Sequence, residues 1–241
     1  MPLLANQGSN AKLAKNVNVT QAFESHIMYL KPADSSGLGV NLCPAASEGC
    51  TKVCLNVAGR GAMSDVQAGR QRKTELFVKH REEFMNQLAE ELCRLVKRAK
   101  RIGVMQAVRL NGTSDISWER QAIVRDGVEY PGVPQAFPEL TFYDYTKLPA
   151  RAMASTGPSW PSNYRLTFSR SEVNGAIAAK LLMAGVNVAV VFATKPAIDP
   201  ATTVDGDAHD MRFLDPVGRG MVIALSAKGK ARKDCSGFVV R

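Results

Sequence analysis

Three of the five cysteines, Cys43, Cys50 and Cys54, fall in one short stretch, LCPAASEGCTKVCLNVAGRG, residues 42–61. The spacing is C-x6-C-x3-C, and most residues between the cysteines are small: Pro44, Ala45, Ala46, Ser47 and Gly49. Thiolates are soft ligands that select zinc, copper(I) or iron–sulfur clusters. Small residues let a loop wrap a cluster, and Gly59 and Gly61 let the chain turn sharply afterwards. A structural zinc takes four protein ligands, often as two close pairs. Cys50 and Cys54 supply one loose pair and the second is missing. An iron–sulfur cluster tolerates varied spacing and needs three or four thiolates. The stretch therefore points first to a [4Fe–4S] cluster, with zinc and unliganded or redox thiols as alternatives. Cys235, in KDCSGF, is the candidate fourth ligand; its plain alternative is a small residue close to the C-terminus. Cys93, at helical spacing among apolar neighbours, reads as core.

A second set of residues gathers where apolar runs end. MQAVRL (105–110) runs into NGTSD, which supplies Asn111, Gly112 and Asp115. LTFYDY (140–145) ends on Asp144 with Lys147 just beyond, and YRLTFS (164–169) is followed by Glu172. If these runs are parallel strands, Asn111, Gly112, Asp115, Asp144 and Lys147 line one cavity at the strand ends, facing the cysteine loop with Lys228. DGDAHD (205–210) could hold a hard cation, but it lacks the full calcium-loop pattern and reads better as a polar turn. No Ser-His-Asp or Cys-His arrangement follows from spacing, and no GxGxxG or GxxxxGK[ST] follows a strand.

These residues need a frame. SHIMYLKPA (25–33), NVAVVF (187–192), MRFL (211–214) and MVIALS (221–226) join the three runs above as strand candidates. From Ser64, a candidate cap, Phe77, Phe84, Leu88, Leu92, Leu95 and Val96 recur at helical spacing up to Gly103, as one long helix or two abutting ones. ISWERQAI reads as a short helix, and EVNGAIAAKLLMAG (172–185) as another. Strand, polar loop, helix, strand is the pattern of a parallel sheet with covering helices. The expected fold is a single α/β domain, residues 21–241, with a partial (β/α) barrel-like sheet of about six to seven mostly parallel strands. Nearly every strand empties into a polar loop, as at a barrel mouth. Residues 1–20 read as a polar N-terminal arm.

The chain has 241 residues, 45% hydrophobic, with a formal charge of +9. No apolar run is long enough to cross a bilayer. The first residues lack the cationic start and apolar stretch of a signal peptide, so a cytoplasmic protein without a disulfide framework is expected. The positive charge makes nucleic acid a candidate partner. KRAKR (97–101) reads as a helix end favoured by the helix dipole, whereas KGKARK (228–233), next to Cys235, is the better anion contact.

A three-cysteine loop after the first strand resembles radical S-adenosylmethionine enzymes. In that family the spacing is C-x3-C-x2-C and the iron without a cysteine binds the cofactor; Gly112 and Asp115 loosely match its Gly-Gly-Glu-like stretch. A second resemblance covers most of the chain: CPAASEGCTKVCLNVAGRG, AVRLNGTSDISWE, FYDYTK, YRLTFS and RFLDP are similar to bacteriophage proteins of the gene-product-88-like family. That resemblance implies a phage-encoded protein in the host cytoplasm and no particular activity. The expected function is a [4Fe–4S] protein of radical-enzyme-like architecture, a redox or radical enzyme with S-adenosylmethionine as candidate cofactor and a small-molecule substrate or an electron donor as partner. The alternative is a nucleic-acid-binding phage protein with a structural cluster or zinc.

Overall fold

Period-two runs of Val, Ile, Phe and Tyr pair into strands because only a sheet lets such residues bury one face at a time. A computed structural model describes residues 1–10 and 13–241. The strands are β1 (Leu4–Asn6), β2 (Phe23–Met28), β3 (Met105–Arg109), β4 (Ile123–Arg125), β5 (Val128–Tyr130), β6 (Thr141–Thr146), β7 (Tyr164–Ser169), β8 (Val188–Phe192), β9 (Thr203–Asp205) and β10 (Val222–Ser226). Eight of them form one sheet in the order β1-β2-β3-β6-β7-β8-β10-β9. Only β1 runs antiparallel to its neighbour.

The six strands β2, β3, β6, β7, β8 and β10 stand side by side in chain order. This is the winding of a partial barrel; a doubly wound sheet would reverse its order part-way. The sheet is open, since β1 and β9 have one neighbour each. The fold is thus a single mixed α/β domain with a large, mostly parallel sheet, as expected.

The helices are α1 (Glu48–Lys52), α2 (Ser64–Lys79), α3 (Arg81–Ile102), α4 (Val133–Ala136), α5 (Pro149–Ala154) and α6 (Gly175–Met183). The segment from Ser64 to Gly103 is two abutting helices, broken at His80, whose backbone leaves the helical region. Met63, not Ser64, is the residue before the first turn. Gly103 ends α3 in the left-handed conformation, which costs glycine least. Phe84, Leu88, Leu92 and Val96 of α3 pack with Phe77 of α2 against Met28, Val108, Leu110 and Phe142 of the sheet. A second group joins Ala152 of α5 and Ala178 and Leu181 of α6 to Phe168 and Val188.

Four details depart from the sequence reading. MRFL is a 3-10 turn, Arg212–Leu214, not a strand. Phe213 reaches from it to Phe23 and Tyr143, ring centroids 4.8 and 5.2 Å apart, while Met211 and Arg212 are buried and Leu214 is exposed, so no alternating face is buried there. ISWERQAI holds only a 3-10 turn, Trp118–Arg120, before β4. β4 and β5 form a hairpin turned by Asp126 and Gly127, both at positive φ, the turn that Asp-Gly favours. Finally, the stretch 1–20 read as a polar arm is laid against the body: β1 pairs with β2, and Leu3 and Leu13 are fully buried. Ala11 and Lys12 of that stretch lie outside the described residues.

Strand parity sorts the candidate residues. Alternate side chains point to opposite faces. In β6, Phe142 faces the helices and Asp144 shares its parity. Tyr143 and Tyr145 face the other, inner side, where Phe213 and the apolar patch of Ala189, Met221 and Ile223 cover them.

Candidate thiol site at the strand ends

The loop between β2 and α2 carries Cys43, Cys50 and Cys54, and the ends of β2 and β3 anchor it. Asp115 N–H donates to Leu42 O at 2.8 Å, Leu42 N–H donates to Ala33 O at 2.9 Å, and Gly112 N–H donates to Met28 O at 2.9 Å. The Cys43 thiol lies 3.5 Å from Thr113 O, to which it donates. A Cβ on Gly112 would come within 2.4 Å of Met28 O and 2.6 Å of the Tyr29 ring. Glycine is therefore required for the chain leaving β3 to reach the end of β2.

Cys50 sits on the single-turn helix α1. Ser47 caps it, accepting from Cys50 N–H at 3.2 Å. Glu172, beyond the end of β7, accepts from Ser47 Oγ and from Gly49 N–H, both at 2.8 Å. A carboxylate at a helix start satisfies N–H groups left without partners. Across the loop, Gln67 Nε2 donates to Asn56 O and Gly61 O, and Arg70 Nη1 to Asn56 O and Oδ1. The first turns of α2 thereby hold the chain that follows Cys54.

The three thiols share one electrostatic environment. Burial pushes the Cys43 thiol up to about 12, and the proximity of Asp115 and the neighbouring thiols acts in the same direction. Burial also raises Cys50, while Lys147 opposes it. Lys147 Nζ donates to Ser169 Oγ at 2.7 Å and to Ser169 O at 3.3 Å. Burial lowers its ammonium below the ordinary lysine range, against the pull of Cys50, Asp115, Glu172 and Cys43. Among the described residues no carboxylate lies within ion-pair distance of Lys147.

Of the expected strand-end group, Asp115 and Lys147 come to the cysteine loop. Asp115 Oδ2 accepts from Lys147 N–H at 2.7 Å and Thr146 Oγ1 at 3.1 Å, and its Oδ1 accepts from Arg151 Nη1 at 3.0 Å. Burial raises Asp115, with the Lys147 N–H and Arg151 opposing. Asn111 and Asp144 are spent on each other instead. Asp144 Oδ1 accepts from Asn111 N–H at 2.7 Å and its Oδ2 from Tyr164 OH at 2.8 Å. Asn111 Oδ1 accepts from Ser114 Oγ, Ile116 N–H and Trp118 Nε1. The parity of Asp144 turns it toward the helices, so it does not face a shared cavity, and Gly112 is used for close packing. Lys228 is exposed and pairs with Asp207.

Cys235 is exposed, its Sγ 3.6 Å from Lys233 O, in a groove of about 370 Å³ shared with Lys52, Val53 and Lys230. Cys43, Cys50 and Cys54 thus share the loop at the strand ends, and Cys235 stands exposed. Among the described residues no three His, Cys, Asp or Glu side chains converge on one ion. The DGDAHD carboxylates are engaged elsewhere: Asp205 with Lys195, Asp207 with Lys228, Asp210 with Arg109.

Three residues escaped the sequence reading. Arg151 of α5 ties Asp115 to Glu119 and Tyr164 in a buried network. Arg70 lies on the buried face of α2, four residues before Thr74 and seven before Phe77, a spacing visible in the sequence. Tyr29, just past β2, has the Arg70 guanidinium 4.7 Å above its ring.

A family model described as Gene product 88 matches residues 2–241. The chain belongs to the gene product 88 family. These are the bacteriophage proteins that the quoted motifs resemble, and in this member of the gene product 88 family the thiols, the NGTSD turn and Lys147 all lie inside the matched region. The match lends no support to the likeness to radical S-adenosylmethionine enzymes. No curated protein matches the chain, and no solved structure does. No helix among the described residues is long and apolar enough to cross a membrane.

Proposed function

We propose that this phage protein holds a [4Fe–4S] cluster on Cys43, Cys50 and Cys54 and uses it for redox or radical chemistry at the strand-end mouth. The supporting observation is the half-buried ammonium of Lys147 beside the thiols, with no carboxylate at ion-pair distance among the described residues. A charge withdrawn from water is costly unless something opposite balances it. The groups acting most directly on Lys147 include two thiols that burial keeps protonated in the metal-free chain. Metal ligation deprotonates such thiols outright, and the resulting anions would balance Lys147.

The number of thiols favours a cluster over a structural zinc, since three loop cysteines without a second close pair fall short of the four protein ligands that such a zinc takes. In a cluster each thiolate binds its own iron. Such a cluster, when bound, supplies one-electron chemistry. With Cys235 exposed, this reading gives the fourth iron a ligand from outside the chain, and S-adenosylmethionine is the first to test.

Protein purified without oxygen should contain iron and acid-labile sulfide in nearly equal amounts, and Cys43→Ser, Cys50→Ser or Cys54→Ser should remove most of both. Cys235→Ser should keep them, with a spectrum that still responds to S-adenosylmethionine. Colourless wild-type protein with one tightly held zinc would overturn the reading. A second reading, nucleic-acid binding with structural thiols, draws on the exposed Lys228, Lys230, Arg232 and Lys233. Its mark would be DNA binding that falls steeply with salt.

A further inference from the structure

We propose that Arg70 and Tyr29, with Arg109 nearby at the ends of β2 and β3, seat the carboxylate or phosphate of a small molecule. The inference does not rest on the iron–sulfur reading; it rests on two arginines. Arg70 is 7% exposed and Arg109 is 5% exposed. An arginine cannot shed its proton to escape burial, so each buried guanidinium calls for a partner.

Arg109 has one: its Nη1 donates to both oxygens of Asp210, at 2.9 and 3.1 Å. Arg70 has none of that kind. Its Nη1 is held by neutral oxygens of Asn56, and among the described residues no carboxylate lies within ion-pair distance. The Nε atoms of both arginines are buried without a hydrogen-bond partner. Of the buried side-chain polar atoms without a partner among the described residues, these two guanidinium donors lie at the ends of β2 and β3 beside the cysteine loop, and each needs an explanation.

Tyr29 links the two. The Arg70 guanidinium stacks 4.7 Å over its ring, and the charges of both Arg109 and Arg70 act on its phenol. The described partner of its hydroxyl, Asn10 Nδ2 at 3.4 Å, donates to it and leaves the hydroxyl proton uncommitted. Asp210 pairs with Arg109 and Asp144 acts on it as well, whereas no carboxylate among the described residues pairs with Arg70, so the unbalanced positive charge is that of Arg70. An oxyanion answers it: guanidinium groups offer paired N–H donors that suit carboxylate and phosphate. The place adjoins the thiols, since Asn56, which Arg70 holds, lies two residues past Cys54. A small molecule held there by its acidic group would present the rest of itself to the cysteine loop.

Calorimetric titration of the full chain, at low salt and with its iron content measured separately, tests this with two probes, inorganic phosphate and acetate. Saturable binding of phosphate alone assigns a phosphate seat, and of acetate alone or of both a carboxylate-accepting one. Arg70→Met should weaken binding at least tenfold and Tyr29→Phe several-fold, while Lys180→Met, an exposed cation on α6, should leave it unchanged. Failure of both probes to saturate, or wild-type affinity in Arg70→Met, would overturn the proposal. Should Arg70→Met lose its fold with the Asn56 clip, the Arg70 Nε–H resonance of the wild-type protein decides. A shift that saturates with the anion supports the seat, and an unmoved signal rejects it. Because iron is assayed independently, absence of iron and absence of anion binding are separate outcomes.

Discussion

Arg151 shows how closely the strand-end carboxylates depend on single side chains. Its guanidinium reaches Asp115, Glu119 and Tyr164 from a side chain only 4% exposed. Removing one partner of a buried ion pair strands the others, at a cost of about 3–5 kcal/mol. Arg151→Met should therefore lower the unfolding free energy read from denaturant melts by that much, more than any exposed Arg→Met change, and a loss under about 1 kcal/mol would show that the network is hydrated. Asp144 behaves differently, because burial lifts it from 3.8 to about 7. The folded chain then holds that proton more tightly than the unfolded chain. Its contribution is full below 3.8 and is lost as pH rises through about 7. Stability should fall across that window, and Asp144→Asn should flatten this part of the pH profile, as read by urea unfolding at several pH values.

At the scale of elements, α1 is too short to stand alone. A helix of five residues forms few of its own hydrogen bonds. It persists because Ser47 caps it and Glu172, more than a hundred residues later, closes the cap. Glu172→Ala should leave the sheet intact and speed hydrogen exchange at Gly49 and Cys50, while β6 and β7 exchange as before. Equal rates at those amides would show that α1 is held by packing alone. The crossing at Gly112 follows the same logic with backbone in place of side chain. Gly112→Ala puts a methyl against Met28 O and the Tyr29 ring, and overpacking of this kind costs about 1–3 kcal/mol. Thermal melts should register that loss, and a neutral result would mean that the β2 and β3 ends can separate.

Across the whole molecule, the last residues close the mouth. Val240 bridges to Phe192 of β8, and Phe238 and Val239 pack with Val53, Ala227 and Ala231 beside Cys50. Asp234 holds this segment in place by accepting from Ser236 and from Val239 N–H. Phe238 also lies 5.2 Å from the Lys147 ammonium. Phe238→Ala should cost about 3–5 kcal/mol, the usual range for emptying a buried aromatic site, and should make Cys50 more reactive toward alkylating reagents. Unchanged Cys50 reactivity, measured by mass spectrometry, would show that the segment does not shield the thiol.

The local pattern of the sequence carried the fold class. Six of seven strand candidates are strands of the main sheet, and their chain-order arrangement follows from polar loops and helices that alternate without interruption. The three clustered cysteines were legible for a similar reason, since residues 42–61 are one loop and loop neighbours stay neighbours in space. What lay beyond the sequence was direction. Parity decided that Asp144 turns toward the helices while Lys147 goes to the thiols, and strand ends cannot be placed to one residue from pattern alone. Phe213 looked like part of a strand because a half-buried aromatic in a turn has no period of its own. Arg70, Arg109 and Tyr29, and Arg151 with Asp115 and Glu119, meet across long stretches of chain. Their pairing depends on which elements the hydrophobic core brings side by side, and only the tertiary structure settles that.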